Sequence, residues 1–232
     1  MLVDRCLRYA LPGRCAFCLG AAMEGAPWCR QCLDELPWNR TACSRCAEPF
    51  SGPAGEPIKS CGACLREPPS FVRARVPLCY SDPVAAQVQR FKFSASPRAG
   101  AILLSLLQGA LTTGGDVLPE ALVAVPLHEQ RARERGFDQA DWLGSRLAQR
   151  LGMRYIKARR LRSTPTQRGL SREQRRANLK SAFVIDTSLP ASVAILDDVM
   201  TTGATLDALG QACLEAGADH VEAWAVARTP MH

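Results

Sequence analysis

Two patterns of apolar positions alternate along the last two thirds of the chain. Short apolar runs predict buried strands, and apolar residues that recur about every three or four positions predict helices. The predicted strands are 75–80, 122–125, 193–196 and 221–226. The predicted helices are 83–90, 99–111, 137–151 and 206–216. This alternation is typical of a mostly parallel sheet with helices on both faces, so we expect an α/β domain over residues 69–232.

The first 68 residues have few long apolar runs and many prolines. A segment of this composition buries little apolar surface, so it needs another source of stability. Eight of its nine cysteines form four C-x-x-C pairs. The pairs are Cys15/Cys18, Cys29/Cys32, Cys43/Cys46 and Cys61/Cys64. Two such pairs supply the four thiolates of a tetrahedral zinc site, so residues 1–68 are predicted to be a module with two structural Zn²⁺ ions.

The spacing leaves the pairing of these cysteines open. Sequence neighbours can share a metal, which joins the first pair to the second and the third to the fourth, or the first pair can join the third. A redox pair or an iron–sulfur cluster would not need four repeated pairs, and no βαβ pattern surrounds them. Cys6, Cys79 and Cys213 lack partners at ligand spacing and are expected to be buried apolar residues.

No export or membrane signal is visible. Asp4, Arg5 and Arg8 interrupt the first 14 residues, where a signal peptide would need an apolar core. The longest apolar stretch, 99–111, is too short to cross a bilayer. We therefore expect a cytoplasmic protein without a membrane span, a setting in which C-x-x-C pairs favour metal over disulfides.

Positive charge is concentrated in one segment. The formal net charge of the chain is +7, whereas residues 154–180 alone carry ten Arg or Lys against one acid, Glu173. A charge run is often only a solvated face, but an excess this dense favours polyanions such as phosphates, pyrophosphate or nucleic acid.

The segment 194–206 has the pattern of a phosphate site. An apolar strand runs into Asp197 and Asp198, and a Thr/Gly turn then opens a helix. Gly203 allows close backbone approach, and amides near residues 201–205 together with the helix dipole suit a phosphate monoester. The two acids are placed to accept hydrogen bonds from ribose hydroxyls or to organise hydrated Mg²⁺. A ribose 5-phosphate fits this description; the alternative is a capped helix after a buried strand.

Resemblance to a known family narrows this interpretation. AILDDVMTTGAT, at 194–205, resembles the phosphoribosyl pyrophosphate (PRPP) signature of type I phosphoribosyltransferases. VPLHEQRARERGFDQA, TQRGLSREQRRANLKSAF and the cysteine module resemble the ComF family, which includes the GntX proteins. The resemblance implies a type I phosphoribosyltransferase-like parallel sheet preceded by a double zinc ribbon.

The resemblance also implies roles for individual residues. Asp197 and Asp198 would be the catalytic acids. The PRPP or phosphate ligand would be bound by Thr201, Thr202, Gly203, Ala204, Thr205, Arg135, Gly136, Gln139 and Lys92. A mobile basic loop would contain Gln167, Arg168, Arg172, Arg175 and Asn178. Asp138 departs from the family pattern, which usually has Asn there, and it either adds negative charge beside the anion site or caps the following helix.

Two functions are compatible with these features. ComF resemblance implies natural competence, in which the protein would handle single-stranded DNA beside other DNA-uptake proteins and keep a PRPP or other phosphoribosyl site. The alternative is an active transferase that moves phosphoribosyl from Mg-PRPP to an acceptor and releases pyrophosphate. The intact acidic pair favours transfer, and the basic segment with the zinc module favours DNA handling. We favour DNA handling as the biological role, with PRPP binding as a molecular property of the protein.

Overall fold

A computed structural model describes residues 13–50, 60–113, 115–127, 136–161 and 182–230. The helices of this part of the chain are α1 (Arg30–Asp34), α2 (Gly62–Arg66), α3 (Val84–Ser94), α4 (Pro97–Thr112), α5 (Gln139–Leu151) and α6 (Ala204–Glu215). The strands are β1 (Arg73–Arg75), β2 (Leu78–Cys79), β3 (Ala121–Ala124), β4 (Arg154–Lys157), β5 (Arg159–Arg160), β6 (Phe183–Val184), β7 (Ser192–Met200) and β8 (His220–Arg228).

Parallel strands form the main sheet. Its order is β1-β8-β7-β3-β4, and β2 also pairs with β8, nearer the carboxyl end of β8 than β1 does. Each pairing in this sheet is parallel, and β5 and β6 form a separate antiparallel pair. The longest strands, β7 and β8, pair with each other at the centre, which is where an apolar parallel strand is buried on both faces.

Helices cover both faces of the sheet. Leu122, Leu196 and Trp224 pack with residues of α3, α4 and α5 on one face. Val123 and Ile195 pack with residues of α6 on the other. The predicted α/β fold class, with helices on both faces, is confirmed.

Several predicted bounds were wrong. The strand expected at 75–80 is two short strands, β1 and β2, separated at Val76 and Pro77; proline has no N–H to donate to a ladder. The helix expected at 83–90 continues to Ser94. The strand expected at 193–196 continues to Met200, so Asp197 and Asp198 lie within β7 rather than after it. Backbone pairing with β8 continues past the point where the apolar pattern stops.

The basic segment begins as sheet. Residues 154–157 form β4, which pairs with β3, and Arg159 pairs in β5 with β6. Lys157 lies 3.3 Å from Asp141, and Arg159 lies 2.5 Å from Asp186. The first part of the charge run therefore forms edge strands in which two of the cations, Lys157 and Arg159, meet acids.

The cysteine module packs directly on the sheet. Cys46 and Cys64 belong to the same buried cluster as Val221 and the α6 residues. Trp28 and Leu36 belong to the cluster on the opposite face. The backbone N–H of Asn39 donates to the carbonyl of Pro77 at 2.8 Å. The module and the sheet thus share both apolar cores.

Across the described ranges, every helix is too short or too polar to cross a membrane.

Candidate metal centres and phosphoribosyl site

The first cysteine cluster joins neighbouring pairs. The Sγ atoms of Cys15, Cys18, Cys29 and Cys32 lie within 4.8 Å of one another. Those of Cys18 and Cys29 are 3.8 Å apart. Cys29 is also the N-cap of α1, where its Sγ accepts from the amide of Cys32. Cys15 is buried, whereas Cys18 is exposed.

The second cluster is enclosed. Cys43, Cys46, Cys61 and Cys64 are all buried, and their Sγ atoms also lie within 4.8 Å of one another. The Sγ atoms of Cys46 and Cys61 are 3.6 Å apart. Cys61 precedes α2 as its N-cap, and its amide donates to the Sγ of Cys43 at 3.2 Å.

These distances fit zinc. Four ligands at about 2.3 Å from a tetrahedral Zn²⁺ stand roughly 3.8 Å apart, close to the separations in both clusters. No disulfide joins the described cysteines. Of the two pairings that the sequence left open, the structure has the sequential one.

Backbone amides prepare the first thiol of each cluster for metal. Burial opposes ionisation of Cys15, but hydrogen bonds from backbone groups of Cys18, Phe17 and Cys29 lower its pKa to about 6. Burial opposes ionisation of Cys43 in the same way, and amide hydrogen bonds again bring its pKa below the ordinary value. Thiolates are the ligand form, so amides that favour them favour metal binding.

The acidic pair lies near the carboxyl end of β7. Asp198 is buried, Asp197 is partly buried, and the Asp198 amide donates to Oδ1 of Asp197 at 2.8 Å. Burial, and then the charge of Asp198, raise the pKa of Asp197 to about 7, although Lys92 acts in the opposite direction. Asp197 therefore changes charge near neutral pH.

Lys92 forms an ion pair with one of these two acids. Its Nζ lies 2.8 Å from Oδ1 of Asp198. Lys92 is in the last turn of α3, in the four residues by which this helix exceeds its predicted length. Because α3 packs on the face of the sheet opposite to α6, its last turn brings Lys92 to the end of β7 from that face.

The Thr/Gly turn forms the predicted strand–loop–helix connection. Gly203 has a φ of +79° and is the N-cap of α6, where it has no side chain to cap the helix. Oγ1 of Thr202 accepts from the amide of Ala204 at 3.5 Å. A Cβ at Gly203 would lie 2.7 Å from Cε of Met200. The start of α6 therefore lacks an N-cap side chain, and a helix N-terminus of this kind suits a bound anion, which the helix dipole also favours.

Asp138 caps a helix. It is the N-cap of α5, where Oδ1 accepts from the amide of Asp141 at 3.0 Å and Oδ2 accepts from that of Leu127 at 2.6 Å. Burial raises the pKa of Asp138. Of the two roles considered for this departure from the family pattern, the structure supports the cap.

The family described as Double zinc ribbon domain matches residues 6–65. The chain is 35% identical to "DNA utilization protein YhgH" of Salmonella typhi, over 94% of this chain and 98% of the relative. It is also 35% identical to "Competence protein F" of Haemophilus influenzae, over 80% of this chain and 90% of the relative.

The chain belongs to the ComF family. A solved structure of an adenine phosphoribosyltransferase aligns with a TM-score of 0.41 at 20% identity, covering 59% of this chain and 73% of that one. A purine phosphoribosyltransferase from Pyrococcus horikoshii aligns with a TM-score of 0.35 at 16% identity, covering 58% and 85%. Because the double zinc ribbon model matches this ComF chain and its eight cysteines form two four-thiol clusters, its structural metal is zinc.

Part of the predicted ComF site lies outside the described residues. This applies to Arg135, Gln167, Arg168, Arg172, Arg175 and Asn178. Gly136 is described and has a φ of +75°. Gln139, in the first turn of α5, is buried.

One residue of the site was missed by sequence reasoning. Arg228 is completely buried at the end of β8, and it contacts both the end of β7, at the carbonyl of Met200, and the second cysteine cluster, at the carbonyl of Cys46. The only signal in the sequence was an arginine at the end of an apolar strand. That signal does not reveal contacts with residues as distant in the sequence as Cys46.

Proposed function

We propose that this protein handles single-stranded DNA in competence-type DNA uptake and binds a phosphoribosyl pyrophosphate ligand at the end of β7. One observation carries the ligand: Asp197, Asp198 and Lys92 meet beside the uncapped, glycine-led start of α6 among the described residues. The DNA role draws on the names of the relatives, which are a competence protein and DNA utilization proteins.

Each part of the ligand has a partner in this proposal. The 5-phosphate lies on the amides of residues 201–205, at a helix start whose N-cap, Gly203, has no side chain to compete. The long contact of 3.5 Å from the Ala204 amide to Oγ1 of Thr202 gives way to the phosphate. Asp197 and Asp198 accept hydrogen bonds from the ribose hydroxyls. Carboxylates are also ligands that Mg²⁺ prefers, so the same pair would hold the Mg²⁺ that neutralises the pyrophosphate.

The DNA interface draws on the rest of the basic segment. Lys157 and Arg159 meet acids, so the charge for DNA comes from the Arg and Lys residues of 162–180. Arginines that neutralise phosphates release counterions, which makes binding strongly dependent on salt.

Calorimetric titration of the zinc-loaded protein with Mg-PRPP tests the ligand site. We expect binding by the wild type and a loss of at least about tenfold in the Asp197→Asn/Asp198→Asn variant, because each residue loses its charge and exchanges one acceptor oxygen for an NH2 donor. Asp186→Asn is a control for loss of a carboxylate elsewhere, since Asp186 lies beyond β6, in an exposed ion pair with Arg159. Equal affinity of wild type and double variant would overturn the site.

Salt titration of single-stranded DNA binding tests the DNA role. Changing Arg168, Arg172, Arg175 and Arg176 to Ala should lower affinity and reduce the slope of log K against log salt by about three, at roughly 0.7 per phosphate contact. Arg30→Ala is the control, because Arg30 is an exposed arginine that pairs with Asp34 on the cysteine module. An unchanged slope and affinity would contradict a role of this segment in DNA binding.

A second function, phosphoribosyl transfer, is favoured by one specific observation. A carboxyl group whose pKa is about 7, as burial gives Asp197, can take up a proton from an acceptor at neutral pH. Release of pyrophosphate from Mg-PRPP in the presence of free nucleobases, lost in Asp197→Asn, would establish transfer. Intact binding of Mg-PRPP without release would leave binding as the function of the site.

A further inference from the structure

The most enclosed charge of the described chain is Arg228. It is the last residue of β8, and its side chain has no exposed surface. A buried guanidinium is costly unless its charge is paired and its N–H groups are bonded. The groups that satisfy Arg228 therefore show what it holds together.

Those groups come from two separate parts of the chain. The Nε atom donates to the carbonyl of Cys46 at 3.1 Å, and an Nη atom lies 2.5 Å from a carboxylate oxygen of Glu48. The other Nη donates to the carbonyls of Met200 at 3.2 Å and Thr201. Cys46 is a ligand of the second cluster, and Met200 and Thr201 open the phosphate loop (residues 200–205). One side chain thus bridges the metal site and the loop.

A second connection runs alongside. Ser70, six residues after Cys64, donates its amide to Oδ1 of Asp207 at 2.7 Å and its hydroxyl to the carbonyl of Asp207 at 2.7 Å. Asp207 lies in the first turn of α6. The chain that leaves the second cluster is therefore fastened to the helix that would receive the phosphate.

The space between the cluster and the loop is nearly filled. A small cleft there is lined by Cys46, Phe71, Met200 and Gly203, among others. Cores without large voids transmit displacement, because neighbouring atoms have little room to move independently. The first cluster packs elsewhere: Cys15 belongs to the core formed by α3, α4 and α5.

We propose that Arg228 positions the phosphate loop and couples it to metal binding at the second cluster. Zinc fixes the backbone of Cys46 and hence one side of the guanidinium, and the guanidinium fixes the carbonyls of Met200 and Thr201. Coupling between two sites is reciprocal, so a phosphoribosyl ligand on the loop also holds the second zinc more tightly. This last consequence rests on the proposed function; the link through Arg228 does not.

A ligand-free experiment on wild-type protein tests the link. Zinc is withdrawn with a chelator, release is followed with a metallochromic dye, and amide hydrogen exchange is sampled during release. We expect exchange of the Thr229 and Asp207 amides, which donate to the loop carbonyls of Met200 and Gly203, to rise about fivefold or more as the second cluster loses zinc. This rise should come ahead of exchange at 121–124 in β3. A loop that stays protected after all zinc is lost, or that opens only together with β3, overturns the link.

Substitution assigns the link to Arg228. Arg228→Lys keeps the charge but loses the fork that reaches Cys46 and Met200 together. We expect faster exchange of the Thr229 and Asp207 amides, which donate to loop carbonyls, and faster release of the second zinc, with release of the first unchanged. Arg73→Lys is the matched control, since Arg73 also pairs with an acid, Glu222, but on β1. A folded Arg228→Lys protein with wild-type values for both readouts contradicts the proposal; if it does not fold, the wild-type experiment decides.

Added Mg-PRPP tests reciprocity. In wild type, the ligand should slow release of the second zinc several-fold and leave the first unchanged. Binding seen by calorimetry with no change in zinc release overturns the coupling. Absence of binding overturns the proposed ligand, while the ligand-free exchange experiment still judges Arg228.

Discussion

At the scale of single residues, the ends of β7 and α3 bring opposite charges together. The sequence pattern indicated that Asp197 and Asp198 belong together and that Gly203 opens a helix. The ion pair between Lys92 and Asp198 could not be found this way, because 106 positions separate the two residues and only the packing of α3 brings them to 2.8 Å.

The pKa of Asp197 predicts opposite effects of pH on binding and on stability. A ligand that needs the carboxylate should bind about tenfold more tightly at pH 8 than at pH 6, since burial raises this pKa to about 7. The free protein should instead lose stability as pH rises from about 4 to 7, because its folded state holds the proton more tightly than the unfolded state does.

Calorimetry and denaturant unfolding over this pH range check both effects. Asp197→Asn serves as the control for titration of the ligand's own phosphates, since it removes only the protein's carboxyl group. A wild-type protein whose pH dependence matches that of Asp197→Asn in both measurements would contradict this account.

A methyl group added at Gly203 should lower both the stability of the protein and its affinity for Mg-PRPP. Gly203→Ala places an L side chain at a φ of +79° and against the end of Met200, so we expect a stability loss of about 1–2 kcal/mol and weaker Mg-PRPP binding. Thermal melting and calorimetry measure the two effects. In the control Gly109→Ala, the new methyl meets no atom within 4 Å on helix α4, and stability should rise by about 0.5–1 kcal/mol. Equal behaviour of the two variants would argue against a constrained loop.

At the scale of elements, apolar periodicity predicted the central strands and helices but not the edge. β4 consists of Arg154, Tyr155, Ile156 and Lys157, with only Ile156 buried. An edge strand needs apolar residues on few positions, so its charges dominated the sequence pattern. The apolar run that predicted β7 also stops before Asp197. The hydrogen-bonded ladder between β7 and β8 continues past that point through backbone groups that any sequence provides.

The two metal clusters should differ in how fast they lose zinc. Cys18 is exposed, whereas all four ligands of the second cluster are buried. A chelator should therefore remove zinc in two phases, and Cys18→Ser/Cys29→Ser should abolish the fast one. A single phase in the wild type, or loss of the slow phase in this variant, would contradict the difference in enclosure.

At the scale of the whole molecule, the cysteine module is part of the structure that holds the sheet. Cys46 and Arg228 are 182 positions apart yet share a hydrogen bond. Spacing rules correctly predicted the clusters because each metal site is built from local C-x-x-C turns. Nothing local indicates which surface of the module meets the sheet, so this contact needed the structure.

Shared cores predict cooperative unfolding. Removal of zinc should lower the melting temperature of the sheet as well as that of the module, because the second cluster belongs to the same core as Val221 and Ile195. Differential scanning calorimetry with and without zinc would show one transition that moves. Two transitions, of which the upper does not respond to zinc, would indicate that the module is independent.

The central claim is that a phosphoribosyl ligand lies on the loop after β7. Amide chemical shifts of the zinc-loaded protein, recorded while Mg-PRPP is added, test it most directly. We expect the largest changes at residues 201–205 and at Asp198, and we expect them to disappear in Asp197→Asn/Asp198→Asn. Changes confined to other parts of the chain, or none at saturating ligand, would contradict it.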